Sequence, residues 1–91
     1  MRQQVLSLRK KQRSTLEQLF KTPVPQGIKW VDIESLIKAL GGEIKEGRGS
    51  RCKFLLNKSI ACFHRPHPSP DTDKGAVESV REWLVSIGVK P

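Results

Sequence analysis

Residues 43–67 read EIKEGRGSRCKFLLNKSIACFHRPH, and the way this stretch pairs with itself decides the fold. Three short extended segments are expected: Glu43–Glu46, then Ser50–Leu56 after a turn at Gly47-Arg48-Gly49, then Ser59–Arg65 after a tight turn at Asn57-Lys58. In the second segment Cys52, Phe54 and Leu56 alternate with Arg51, Lys53 and Leu55, the period of a strand with one buried face. A two-residue turn at Asn57-Lys58 sets Cys52 opposite Phe63 and Phe54 opposite Ala61, making one apolar face. The same register sets Arg51 opposite His64 on the other face, beside Lys53 and Cys62. A three-residue turn would instead group Cys52, Phe54, Ile60, Cys62 and His64. The first register is preferred because it buries Phe63 and gathers the polar groups, although Asn-Lys is a weaker turn signal than Asn-Gly.

Outward from the hairpins the periodicity becomes helical. Upstream, Trp30, Ile33, Leu36, Ile37 and Leu40 recur at helical spacing over 30–40, with Asp32 and Glu34 near the positive end of the helix dipole. Gly41-Gly42 supplies the stop. Downstream, Pro66, Pro68 and Pro70 end the sheet, and Asp71-Thr72-Asp73 offers caps for a helix over 74–87. Ala76, Val77, Val80, Leu84 and Ile87 form its stripe, and Gly88 ends it. Residues 4–21 read as one basic helix carrying Val5, Leu8, Leu16, Leu19 and Phe20, followed by a Pro-rich linker at 22–27. The fold class is therefore α+β: a three-stranded antiparallel sheet packed against helices, α-β-β-β-α, with an extra N-terminal helix. The division expected is 1–27, basic helix and linker, and 28–91, the sheet-bearing domain.

Ninety-one residues suffice for a single modest core. The apolar runs are too short to span a bilayer, and no signal-peptide stretch follows the basic start, so a cytoplasmic protein with no membrane partner is expected. Charge is more informative. Seventeen Lys and Arg against nine Asp and Glu give +8, and residues 1–21 and 45–67 each carry six basic groups and one acid. Two basic segments on an otherwise acidic chain are the footprint of a polyanion-binding surface. With no tyrosine and no exposed aromatic pair on the strands, RNA would be recognised by shape and phosphate.

Both histidines fall in His64-Arg65-Pro66-His67. Histidine transfers protons near neutral pH, and arginine pairs with phosphate. RNA cleavage needs a base for the 2′-hydroxyl, an acid for the leaving oxygen and a cation on the phosphate. His64 and His67 are the candidate acid–base pair; Arg48, Ser50, Arg51, Lys53 and Arg65 are the candidate phosphate and RNA ligands. The same tetrapeptide would equally serve binding alone, or simply end a strand. Gly47-Arg48-Gly49-Ser50-Arg51 reads either as a plain β-turn or as a phosphate cradle. A zinc site from Cys52, Cys62, His64 and His67 is disfavoured, since no close Cys pair exists and the preferred register sets the cysteines on opposite faces. No metal and no cofactor is expected.

This arrangement resembles the HicA-like toxins (YcfA-type mRNA interferases) of type II toxin–antitoxin modules, small ribonucleases with a dsRBD-like fold. The resemblance spans residues 30–89 and rests on Gly49-Ser50, His67-Pro68, Gly75 and the final helix through Ile87-Gly88. It implies mRNA as substrate, endoribonuclease activity independent of metal, and a HicB-like antitoxin as partner. One departure stands out. The family's catalytic histidine usually follows the Gly-Ser turn directly, and here that position is Arg51, whose guanidinium cannot act as a base. Either the chemistry has moved to His64 or the chain is a binding-only descendant.

Overall fold

The computed structural model describes residues 2–66 and 70–91. His67 lies outside the described residues. In chain order the elements are α1 (Arg2–Leu6), α2 (Lys10–Leu19), α3 (Trp30–Ala39), β1 (Glu43–Glu46), β2 (Arg51–Leu56), β3 (Ser59–His64) and α4 (Lys74–Ser86). The strands form one antiparallel sheet in the order β1-β2-β3. This is the α+β, dsRBD-like arrangement expected from the hairpin pattern.

The β2–β3 register is the one with a two-residue turn: Arg51 faces His64, Cys52 faces Phe63, and Phe54 faces Ala61. Asn57 and Lys58 both take positive φ, 52° and 64°, the backbone of the turn whose twist matches two antiparallel strands. Asn tolerates that region well and Lys poorly, so the turn is held by what surrounds it. The Asn57 amide donates to the Ile87 carbonyl, tying the hairpin tip to the end of α4.

One face of the sheet is covered by α3 and α4. Trp30 of α3 stacks on Phe54 at 5.4 Å between ring centroids, and Trp83 of α4 packs against Phe54 and Phe63. Cys52, Phe54 and Leu56 join Ile33, Leu36, Ile37, Val77, Val80 and Leu84 in a single core. Gly42 is needed where α3 meets the sheet, because a Cβ there would come within 2.7 Å of the Leu55 carbonyl oxygen. Asp73 caps α4 by accepting the Ala76 amide.

The N-terminal segment departs from expectation. Instead of one helix over 4–21, the chain breaks between Leu6 and Lys10. Tertiary contacts account for the break. Leu8 turns into the core, and Arg9 takes an extended conformation while its amide donates to the Gln12 side chain. The short α1 is then free to lay Gln4 across the end of α3, where its side-chain amide donates to the Leu40 carbonyl at 2.6 Å. Beyond the break, α2 packs on α3 and α4 and buries Leu16 and Leu19 completely. The Arg81 guanidinium donates to the Lys21 carbonyl at 2.8 Å. Residues before 28 thus contribute Leu8, Leu16 and Leu19 to the same core as the sheet.

Candidate nucleic-acid interface

Among the described residues no element covers the sheet face away from the helices, and strand parity decides what it shows. Arg51, Lys53, Cys62 and His64 are all exposed there. Arg51 lies directly opposite His64, and Lys53 lies between Cys62 on β3 and Lys45 on β1. Directly opposite residues hold their Cβ atoms about 4.5–5.5 Å apart, so these side chains form one charged patch. Lys45, Arg48, Arg51 and Lys53 make no ion pair among the described residues. These cations outnumber the one acid of the same strand parity, Glu43, so the patch is net positive.

The Gly47–Arg51 turn borders this patch. Gly49 takes a positive φ, the Arg51 amide donates to the Arg48 carbonyl, and the Gly47 amide donates to the Arg51 carbonyl. Those two amides are spent inside the turn, and the exposed side chains of Arg48 and Ser50 flank it. Gly47, Arg48, Arg51, Lys53, Cys62 and His64 line a shallow groove beside the turn. On its other side His64 borders a second groove, shared with Pro66 and the first turns of α4.

Arg65 is elsewhere. It has the parity of Phe63, not of His64, and its guanidinium is held by Glu46 at 2.8 Å and by Glu34 at 3.1 Å. The hydrogen bond to Glu46 is the main cause of its raised pKa, with burial opposing and the Glu34 charge assisting. Glu34 also accepts the Trp30 indole N–H at 3.1 Å, and the Arg65 amide donates to the Ser50 carbonyl at 2.7 Å. Arg65 therefore fastens the end of β3 to β1, to the start of β2 and to α3. Its charge is shared with two carboxylates that offset it. Glu34, Glu46 and the outward Lys45 were not among the expected site residues. Parity gives only the inward turn of Arg65, since the register that faces Phe63 inward carries Arg65 with it; Glu34 and Glu46 reach it through the packing of α3 and β1.

The two cysteines are separated as expected. Cys52 is fully buried, and burial raises its thiol pKa, whereas Cys62 is exposed on the opposite face. They cannot ligate one ion. No cluster of three His, Cys, Asp or Glu placed to hold a metal occurs among the described residues. Nor is any helix of the described residues long and apolar enough to cross a membrane.

Comparison with known proteins gives one result. The model of the HicA toxin family, described as the HicA toxin of bacterial toxin–antitoxin systems, matches residues 30–88, from the first residue of α3 to the glycine that closes α4. Searches of curated proteins and of solved structures return no significant match. The matched stretch contains the whole sheet, both helices that back it and the exposed Arg51–His64 pair, and on that basis this chain belongs to the HicA toxin family.

Proposed function

We propose that this toxin acts on mRNA as a metal-independent endoribonuclease and is held in check by a HicB-type antitoxin. The observation that carries the reading is the cross-strand pair of Arg51 and His64 on the uncovered, basic face of the sheet. A phosphodiester seated there meets a fixed cation and an exposed imidazole together. In the reaction the 2′-hydroxyl loses its proton to a base and its oxygen attacks phosphorus. The bond to the 5′-oxygen breaks, and that oxygen takes a proton from an acid, leaving a 2′,3′-cyclic phosphate and a 5′-hydroxyl. His64 serves as one of the two groups, and His67, three residues along the chain, is the candidate for the other. Arg51, Lys53, Arg48 and Ser50 hold the phosphates. Arg65 is reassigned as a positioning residue that fixes the strand end bearing His64.

The test is incubation of the purified chain with an mRNA transcript in the presence of a chelator. Cleavage is expected, and His64→Ala should lower its rate by about 10²–10⁴-fold, the usual weight of a general acid or base. Cleavage that survives in both His64→Ala and His67→Ala removes these roles. A second reading, a binding-only RNA module, is favoured by one residue: the arginine at position 51, where the family usually has its catalytic histidine. It predicts salt-dependent binding to structured RNA with no product even at excess protein.

A further inference from the structure

The sheet has two open edges, and they are built differently. β1 is short, and Glu43, Lys45 and Glu46 charge it, a common defence against unwanted strand pairing. β3 reads Ser59-Ile60-Ala61-Cys62-Phe63-His64, longer, with no proline and no acid, lysine or arginine. Its main chain can be oriented from two hydrogen bonds. The Arg65 amide donates to the Ser50 carbonyl, and across β2 the Gly47 amide donates to the Arg51 carbonyl. By the alternation of an antiparallel ladder, Ser59, Ala61 and Phe63 direct their N–H and C=O groups to β2. Ile60, Cys62 and His64 direct theirs outward, and among the described residues no hydrogen bond takes them up.

Among the described residues a groove lies open beside this edge. It runs between Phe63, His64 and Pro66 on one wall and Gly75, Ala76 and Ser79 of α4 on the other. The helix wall is low, and even a Cβ on Gly75 would meet nothing within 4 Å. Ile60 is 62% exposed opposite Leu55, an apolar contact waiting on the same face as His64.

We propose that an extended segment of the cognate antitoxin adds to β3 as a fourth strand, bonding to the outward groups of Ile60, Cys62 and His64 and laying an acidic side chain against His64 and Arg51. This rests on the toxin–antitoxin reading of the family and on His64 as a working group. Backbone chemistry selects a peptide over RNA. The edge alternates donors and acceptors, which another strand complements, whereas a phosphodiester brings acceptors alone against the carbonyls. Charge selects an acidic partner over a second copy. A second copy would bring another net charge of +8 to the join, where an acidic segment brings the opposite sign. Strand addition would also explain inhibition, since the added side chains lie over the imidazole and the phosphate-binding cations.

The experiment co-expresses the full chain with a HicB-type antitoxin drawn from the reading frames that flank its gene, and purifies the complex. Amide exchange is measured free and bound. The amides of Ile60, Cys62 and His64 should slow at least about tenfold on binding, the equivalent of one backbone hydrogen bond formed. Ile60→Pro removes an outward amide that the sheet does not use, so the thermal midpoint and RNA cleavage should hold while antitoxin affinity falls about tenfold or more. Ile60→Lys, which charges the edge without touching the backbone, should weaken binding in the same direction. Unprotected edge amides in the complex, or wild-type affinity in both variants, overturns the inference and leaves the nuclease reading standing. Protection of the same amides by RNA in the free chain overturns it too. If no complex forms, strand addition and the HicB-type partner fail together, while cleavage of mRNA is judged separately.

Discussion

The two faces of this sheet are written in the same residues, one position apart, and they answer to different physics. On β2, Cys52, Phe54 and Leu56 are buried beneath α3 and α4, while Arg51 and Lys53 stand in solvent. The inner face is judged by how much apolar area it removes from water and how well rings fit. The outer face contributes little to stability and instead sets the charge that this side of the sheet presents to solvent. Arg65 marks the boundary between them. It lies in the basic, histidine-bearing tetrapeptide, yet its parity sends it inward to Glu34 and Glu46. Basic residues in one short segment are therefore not equivalent, and the comparison can be broken by substitutions that treat them as if they were.

The largest effect is expected on the inner face. Phe54 is fully buried and touches Trp30, Phe63 and Trp83. Phe54→Ala should cost about 3–5 kcal/mol of stability, enough to unfold much of a domain this small. Denaturant unfolding measures it, and a loss below about 1 kcal/mol would mean that the aromatic cluster is not the core's centre.

Next comes the boundary. Arg65→Ala leaves two carboxylates facing each other where a cation held them, and it frees the end of β3. The guanidinium is 35% exposed, so solvent screens part of the loss, and about 1–2 kcal/mol is expected rather than the full cost of breaking a buried pair. The discriminating comparison is RNA affinity. If Arg65 held a phosphate, Arg65→Ala would reduce the salt dependence of binding at unchanged stability; if it positions the strand end, the substitution lowers stability and leaves the salt slope unchanged.

On the outer face, Arg51→Ala and Lys53→Ala should leave stability within about 0.5 kcal/mol. Each should also reduce the slope of log affinity against log salt by about 0.9 in magnitude if it neutralises one phosphate. Titrations of a stem-loop RNA at several salt concentrations measure both. A slope unchanged in the double variant would show that these cations face solvent without a polyanion.

Much of this division was legible in the chain. The hairpin register followed from local rules: two residues that close a tight turn, and an alternation in which one slip would expose Phe63. Helices α3 and α4 announced themselves by spacing and by Gly41-Gly42 and Gly88. The break between α1 and α2 was not legible, because it depends on Gln4 finding the Leu40 carbonyl 36 residues away. The clamp on Arg65 was half legible. Its parity was implied by the register, but Glu34 and Glu46 come from elements whose approach only the packed sheet and helix define. Adjacency in His64-Arg65-Pro66-His67 groups Arg65 with His64 in the sequence, whereas a strand sends neighbours to opposite faces.

The two cysteines give the mildest test, one on each face. Cys62 is exposed and Cys52 is not, so a thiol reagent at mildly alkaline pH should modify one site in the folded chain and both only after unfolding. Burial raises the Cys52 pKa, which means the folded state holds that proton more tightly than the unfolded chain does. Below the ordinary thiol range both states are protonated, and the linkage contributes its full stabilisation. As pH rises past the unfolded value the unfolded chain releases the proton first, and stability declines until the folded thiol ionises too. The slope from one proton cannot exceed about 1.4 kcal/mol per pH unit. Cys52→Ala should lower stability by a constant cavity cost and flatten this alkaline decline relative to the parent. Cys62→Ala should leave it in place. If removing Cys62 rather than Cys52 flattens the curve, the assignment of inner and outer faces to this hairpin is reversed.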